Sequence, residues 1–264
     1  MHNASETVHF ARPPELGVRP KALRRSLLDV WGRRSDPRLH VQLALVALFS
    51  VALWGLGLVV EDYVTGDPLV RWDVEFSRWL HEHSSATLVS AFDVITLAGN
   101  IAVLAVLMAG VLAYFLRRGR VNEAAILVFG AVGVEILNPL LKLLFQRPRP
   151  ELAYVHLETY SFPSGHAAGS AAIYALVLYL LARHARTRWQ VTAAAGYVVV
   201  VTVVGFSRLY LEVHYLSDVL AGTALGAAWA SACLFAYESR HDLVARLLPE
   251  RARSLAGRLS TSSS

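Results

Sequence analysis

The chain has only one cysteine in its 264 residues, Cys233, which excludes an intramolecular disulfide and a zinc site built from cysteines. Charged residues are also scarce: they make up 17% of the chain, whereas 55% of residues are hydrophobic and the mean hydropathy is +0.44. A water-soluble domain of this length could not bury so much apolar sequence. No internal repeat is present, and low complexity is confined to the serine-rich residues 260–264. The composition therefore indicates an integral membrane protein.

Six apolar segments are long enough to cross a bilayer, which takes roughly 20 helical residues each. We place them at about 41–60, 89–116, 123–145, 166–183, 190–206 and 215–237. The last three are rich in alanine and glycine, as expected where membrane helices pack closely. The first begins after about forty mostly polar residues, more than a secretory signal peptide has before its apolar core, so we expect a retained anchor. The sequence thus predicts an all-α bundle of six transmembrane helices.

The distribution of positive charge predicts how this bundle is oriented. Nineteen of the 25 lysines and arginines lie on one side of a six-span arrangement, in the N-terminal arm, two short connections and the tail. Basic connections stay in the cytoplasm, so both termini are expected there. We expect a basic cytoplasmic arm at 1–40, a six-span domain at 41–238 and a basic, serine-rich cytoplasmic tail at 239–264.

Six cations remain on the outer side, and four of them cluster beside two histidines near the ends of the third and fifth spans. These four are Lys142, Arg147, Arg149 and Arg208. Single cations at a membrane boundary are often side chains that reach for the interface. Four together beside histidines indicate a bound anion.

The first outer connection carries a different pattern. Its apolar residues recur at helical spacing: Leu69, Trp72, Phe76, Trp79 and Leu80. Charged residues lie between them: Arg71, Asp73, Glu75 and Arg78. This pattern predicts a short amphipathic helix in the outer interface, with its indoles at headgroup level. A short buried core helix is the alternative.

Three polar stretches carry the candidate chemistry, and all fall on the outer side of the topology. They run from Lys142 to Pro150, from Pro163 to His166 and from Ser207 to Asp218. Transfer of a phosphoryl group requires that its oxygens be held, its charge neutralised and a nucleophile placed in line. The arginine forks and the compact lysine charge in these stretches suit phosphate oxygens. The amides of Ser164 and Gly165, at a helix N-terminus, are expected to donate to the same anion.

The histidines in these stretches supply a nucleophile and an acid. His214 and Asp218 are four residues apart, so they share a face if the sixth helix already begins there. The carboxylate would then hold one ring N–H and leave the other nitrogen nucleophilic, which predicts a phosphohistidine intermediate. His166 is left to protonate the leaving group.

Together these motifs resemble the type 2 phosphatidic acid phosphatase family, membrane members of a superfamily shared with the vanadium haloperoxidases. The family pattern is Lys-x6-Arg-Pro, Pro-Ser-Gly-His and Ser-Arg-x5-His-x3-Asp, and this chain departs from it at no defining position. The resemblance covers roughly 90–238, and the apolar spans argue against the soluble haloperoxidase branch. It implies His214 as nucleophile, Asp218 as its partner and His166 as acid and base. It implies phosphate binding, without a metal or other cofactor, by Lys142, Arg149, Ser164, Gly165 and Arg208.

A site at the outer interface suits a lipid phosphate whose tail stays in the bilayer. We expect undecaprenyl diphosphate first, and phosphatidic acid or phosphatidylglycerol phosphate next. A phosphotransferase would use the same residues, whereas a binding or transport protein would not need the histidines. No nucleic-acid partner is expected, because the basic residues follow the membrane. Arg147 lies outside the pattern and is not expected to contact substrate, and the sequence leaves the roles of Glu135 and Glu212 and the oligomeric state open.

Overall fold

A computed structural model of the chain describes residues 37–66, 68–151, 153–154 and 158–247, the last seven by their backbone alone. The predicted N-terminal arm up to residue 36 and the tail beyond residue 247 lie outside the described residues. From Gln42 onward the chain forms one compact unit; of the separate unit Met1–Val41, only the start of a helix is described.

Every regular element within the described residues is helical. In chain order these are α1 (Pro37–Thr65), α2 (Pro68–Glu82), α3 (Ala86–Ile95), a 3-10 turn (Thr96–Gly99), α4 (Ile101–Arg117), α5 (Val121–Phe145), α6 (Gly165–Ala182), α7 (Thr187–Tyr210) and α8 (Leu216–Leu247). Five helices, α1, α5, α6, α7 and α8, are long and apolar enough to cross a membrane, and α3 with α4 makes a sixth span as a bent pair. The prediction of an all-α, multi-pass membrane bundle is confirmed.

The second predicted span, 89–116, needs a correction because it is not one continuous helix. Its two halves, α3 and α4, meet at 42°. Asn100 starts α4 by accepting a hydrogen bond from the Ala102 amide at 2.8 Å. Just before it, Gly99 lies so close to α7 that a Cβ there would come within 2.5 Å of Val204. Tertiary packing therefore interrupts a segment whose apolar sequence alone would continue.

α6 and α8 form the most buried part of the bundle, and their backbones meet at two glycines. A Cβ at Gly222 would lie 2.4 Å from the carbonyl oxygen of Ser164. One turn later, a Cβ at Gly226 would lie 2.3 Å from the carbonyl oxygen of Ala168. Neither position has room for a side chain. The first turn of α6 is therefore seated directly on α8.

The short amphipathic helix predicted in the first connection is present as α2, but one of its polar residues faces inward. Trp72 and Trp79 are 64% and 52% exposed, whereas Leu80 is buried. Asp73, which the sequence pattern assigns to the polar face, is only 1% exposed. α2 thus directs a carboxylate into the protein.

The helix order brings four helix ends together. α5 and α7 end where α6 and α8 begin, so the long connection from 146 to 164 and the turn from 211 to 215 lie at the same end of the bundle. The short basic connections at 118–120 and 183–186 lie at the opposite end. All three polar stretches of the sequence therefore converge at one end.

Candidate active site

His214 and Asp218 come together at the start of α8, although the helix does not contain both. α8 begins at Leu216, so His214 belongs to the preceding turn and Asp218 to the first helical turn. His214 Nδ1 lies 3.4 Å from Asp218 Oδ2, and the Tyr215 amide donates to that same oxygen at 2.8 Å. The expected pair is brought together by a turn, and not by a shared helix face.

The other ring nitrogen of His214 faces Arg149. Arg149 Nη1 lies 3.3 Å from His214 Nε2 and also donates to the Val213 carbonyl at 2.6 Å. A guanidinium can only donate, so Nε2 accepts and the ring proton belongs on Nδ1, toward Asp218. Burial lowers the pKa of His214 to about 4, against the opposing hydrogen bond to Asp218. His214 is therefore neutral near pH 7, with the lone pair of Nε2 directed at a cation.

Further cations and the second histidine interact electrostatically with this part of the site. Arg149, Lys142 and Arg208 all act electrostatically on His166, as does His214. Lys142 Nζ donates to the carbonyl oxygen of Tyr160 and, at 3.2 Å, to that of Ser161. Burial lowers the pKa of Arg149.

Arg208, another cation of this cluster, has one N–H donor that makes no hydrogen bond with the described residues. Its Nη1 donates to Thr96 Oγ1 at 2.7 Å, and its buried Nε has no partner among the described residues. Desolvating an N–H of a guanidinium without a partner is costly, and an anion would relieve that cost. The unpartnered Nε of Arg208 could therefore donate to an anion. Through Thr96, the second span also contributes to a site that the sequence placed between the third and sixth spans.

The Pro-Ser-Gly-His segment places the start of α6 near these cations, but the Ser164 amide, one of the expected donors, already has an acceptor. The Ser164 amide donates to the backbone carbonyl of Asp218 at 2.9 Å, so the expectation that this amide binds the anion is wrong. The Ser164 hydroxyl is buried and without a partner in the described part of the chain, so it remains available. Gly165 packs on Asn138, where a Cβ would lie 3.1 Å from Oδ1. Asn138 in turn donates to the Pro163 carbonyl at 3.3 Å, which fastens the segment to α5.

Arg147, which sequence reasoning left outside the site, contacts Asp218 directly. Its Nη1 donates to Asp218 Oδ1 at 2.8 Å and to Ser217 Oγ at 2.5 Å, and its Nη2 donates to Asp73 Oδ2 at 2.8 Å. Burial acts to lower the pKa of Arg147, but the Asp218 and Asp73 carboxylates raise it overall. The proline on each side of Arg149 favours an extended backbone, in which alternate residues face the same way. The two-residue spacing is therefore a sequence signal that could have placed Arg147 and Arg149 near the same turn, the one that precedes α8.

Ser161 is a second residue that the sequence did not reveal. Its hydroxyl donates to Asp218 Oδ2 and lies 3.4 Å from His214 Nδ1. Ser161 is completely buried, so its hydroxyl has no water to satisfy it and must bond within the site. A serine five residues before the histidine of the Pro-Ser-Gly-His segment has no pattern that marks it in advance.

Glu212, whose role the sequence left open, ties the His214 turn to α2. It is fully buried and has a φ of 54°, in the left-handed region. That conformation costs a residue with a side chain about 1 kcal/mol. Glu212 Oε1 lies 3.0 Å from His81 Nδ1, and this contact offsets part of the cost. Burial raises the pKa of Glu212, while His81 acts in the opposite direction.

Comparison with known proteins agrees with this arrangement. The profile of the PAP2 superfamily matches residues 123–242. Phosphatidylglycerophosphatase B of Bacillus subtilis (strain 168) is 38% identical over 118 residues, which cover 43% of this chain and 56% of that protein. An uncharacterized 22.5 kDa protein in the cps region of Klebsiella pneumoniae is 46% identical over 66 residues, covering 25% of this chain and 31% of that protein. The matches thus span about half or less of these relatives' lengths.

Two crystal structures share the fold. One is a transmembrane PAP2 type phosphatidylglycerolphosphate phosphatase from Bacillus subtilis, with a TM-score of 0.63 and 26% identity over 72% of this chain and 94% of that chain. The other is Aquifex aeolicus LpxE, with a TM-score of 0.50 and 23% identity over 62% of this chain and 94% of that chain, a likeness of fold alone. The matched residues 123–242 contain the cations, both histidines and Asp218. Over residues 123–242 the chain is therefore similar to the PAP2 superfamily, and its fold is that of a transmembrane PAP2 type phosphatase.

Proposed function

We propose that this protein is a membrane phosphatase that removes phosphate from a lipid through a phosphohistidine on His214. The observation that carries the proposal is the placement of His214 between Arg149, 3.3 Å from Nε2, and Asp218, 3.4 Å from Nδ1. This placement assigns the ring proton to Nδ1, because a guanidinium can only donate. A neutral imidazole in this state presents a lone pair where the cations would hold phosphorus. Binding alone would require the cations but not this oriented histidine.

The proposed reaction has two steps. Nε2 of His214 forms a bond to phosphorus while the bond to the lipid oxygen breaks, and His166 protonates the departing oxygen. Water then attacks phosphorus and the nitrogen–phosphorus bond breaks, while His166 takes a proton from the attacking water. Arg149, Arg208 and Lys142 hold the nonbridging oxygens and neutralise their charge in both transition states.

We propose a lipid substrate because the site lies at one end of membrane-spanning helices, where a headgroup can reach the cations while its chains remain in the bilayer. The short basic connections lie at the opposite end, which supports an extracytoplasmic site and cytoplasmic termini. The likeness to phosphatidylglycerophosphatase B supports phosphatidylglycerol phosphate as the first substrate to test. Undecaprenyl diphosphate, expected first from the sequence, and phosphatidic acid are the other candidates.

The test is release of inorganic phosphate by purified protein in detergent micelles from each of these three lipids. We expect His214→Ala to abolish turnover, and His184→Ala, which changes an exposed histidine at the opposite end, to leave it unchanged. Acid quenching should trap labelled phosphate on wild-type protein and not on His214→Ala. Activity of His214→Ala within threefold of wild type would refute the nucleophile. Label that passes to an added alcohol in preference to water would instead indicate a phosphotransferase.

A further inference from the structure

α2 lies outside the family-matched residues 123–242, and it carries a carboxylate that bonds to Ser217 and Arg147, the residues beside Asp218. Asp73 is 1% exposed, although its neighbours Trp72 and Val74 are exposed. An acidic side chain is almost never buried so completely unless every oxygen is bonded. The proposed reaction does not itself use Asp73, so its burial requires an explanation.

Both oxygens of Asp73 bond to groups that contact or precede Asp218. Oδ1 accepts from the Ser217 amide at 2.9 Å, and Oδ2 accepts from the Ser217 hydroxyl and, at 2.8 Å, from Arg147 Nη2. Ser217 is the second residue of α8, and Asp218 is the third. The carboxylate therefore caps the helix that carries Asp218, at the position where a negative charge is favoured.

The same contacts fix Arg147. One end of its guanidinium bonds to Asp73 and the other to Asp218. The rings of Tyr63 and Tyr215 lie 5.0 and 4.3 Å from it. Without Asp73, the buried Nη2 of Arg147 would lose its hydrogen-bond acceptor, and the guanidinium could rotate away from Asp218. Asp73 thus governs both the helix turn and the cation that set the direction of the Asp218 carboxylate.

We propose that Asp73 is a positioning residue: through Ser217 and Arg147 it holds Asp218 in the orientation that keeps the His214 proton on Nδ1. This inference rests on the proposed function. It makes α2 part of the catalytic apparatus, and not only a helix that lies at the interface. Asp73 itself touches neither substrate nor His214.

The experiment measures kcat and KM for phosphate release by Asp73→Asn, with Glu75→Gln, an exposed acid on the same helix, as the matched control. Removing a group that orients a catalytic ligand lowers activity by about 10- to 100-fold. We expect that loss in kcat, with KM within about threefold of wild type and Glu75→Gln unchanged. In an Asp218→Asn background, Asp73→Asn should cause little further loss, because its effect passes through that carboxylate.

A purely structural role would instead lower the melting temperature and leave the kcat of the folded fraction unchanged, which would overturn the proposal. Full additivity of Asp73→Asn with Asp218→Asn would also overturn it. If Asp73→Asn does not fold, Ser217→Ala decides, because it removes one link without burying an unpaired charge: a severalfold fall in kcat supports the proposal and wild-type kcat refutes it. A wild-type protein that releases no phosphate would remove the proposed function itself, a result distinct from an active enzyme indifferent to Asp73.

Discussion

Arg147 and Arg149 lie two residues apart in one Arg-Pro-Arg-Pro run. Replacing each in turn with leucine distinguishes a guanidinium that stabilises the fold from one that acts in the proposed reaction. The Arg147 side chain is 5% exposed and bonds to two buried carboxylates. Arg149 is half-buried, and its contacts are mainly with carbonyl oxygens of the 159–160 and 213 segments. We expect Arg147→Leu to act on stability and on activity, and Arg149→Leu to act on activity alone.

The magnitudes follow from these contacts. Removing one partner of a buried ion pair costs about 3–5 kcal/mol, because the remaining charge stays buried. At about 2–4 °C per kcal/mol for a chain of this size, the melting temperature of Arg147→Leu should fall by roughly 6–20 °C. Arg149→Leu mainly frees carbonyl oxygens of the exposed 159–160 segment, which water can reach, so its melting temperature should stay within a few degrees. Losing two charge-assisted hydrogen bonds of about 1.5–3 kcal/mol each lowers kcat/KM by roughly 10²- to 10⁴-fold.

The assay pairs thermal unfolding in detergent with phosphate release on the same preparations. Arg147→Lys is a useful intermediate, because it keeps the charge but cannot bridge two carboxylates with a planar fork. A wild-type melting temperature for Arg147→Leu, or a kcat/KM of Arg149→Leu within tenfold of wild type, would contradict these expectations. Equal losses of stability in both variants would also show that the two arginines are not separated in this way.

Three further results are expected. Burial lowers the pKa of His214 to about 4 in the folded protein, whereas an unfolded histidine has a pKa of about 6.5. The unfolded state therefore binds protons first as the pH falls, and stability should be lost between about pH 6.5 and 4. The melting temperature of His214→Gln should fall less steeply over this range. Equal dependence of the melting temperature on pH in the variant and the wild type would contradict this. Activity should survive excess EDTA, because Arg149, Arg208 and Lys142 supply positive charge beside His166 and the described residues contain no group of three potential metal ligands. A loss restored by magnesium or zinc would count against it. In a Cys233→Ser background, Ala153→Cys should react with an impermeant thiol reagent in intact spheroplasts and Thr187→Cys only after permeabilisation, and the reverse order would place the site in the cytoplasm.

The helices and the main site residues were predictable because each has a strong local signal. Long apolar runs marked the spans, and the spacing within three short motifs marked Lys142, Arg149, Arg208 and both histidines. Position in the chain also sufficed to put these groups at one end of the bundle, since each motif joins two spans.

What the sequence did not reveal depends on contacts between distant segments. Asp73 has the same local pattern as Glu75, its neighbour on α2, yet one is buried in the site and the other exposed. The bend between α3 and α4 depends on how closely Gly99 approaches Val204 of α7, more than a hundred residues later. The sequence assigned the Ser164 amide to the anion, but this amide donates to the carbonyl oxygen of Asp218, a residue far away in the chain. Burial and partner choice of this kind are decided by packing, which local periodicity does not encode.

The contacts of Gly222 and Gly226 with the backbone of α6 also limit how this protein could diversify. With carbonyl oxygens 2.3–2.4 Å from the position of any added Cβ, a change at either glycine would force apart the helices that carry His166 and Asp218. Under the proposed function, we expect changes in lipid preference to arise mainly on the other helices, such as α1, which is far less buried than α6 and α8. Within one chain, two positions beside the proposed chemistry have no room for a side chain, whereas the outer helices offer apolar surface on which adaptation to different membranes can act.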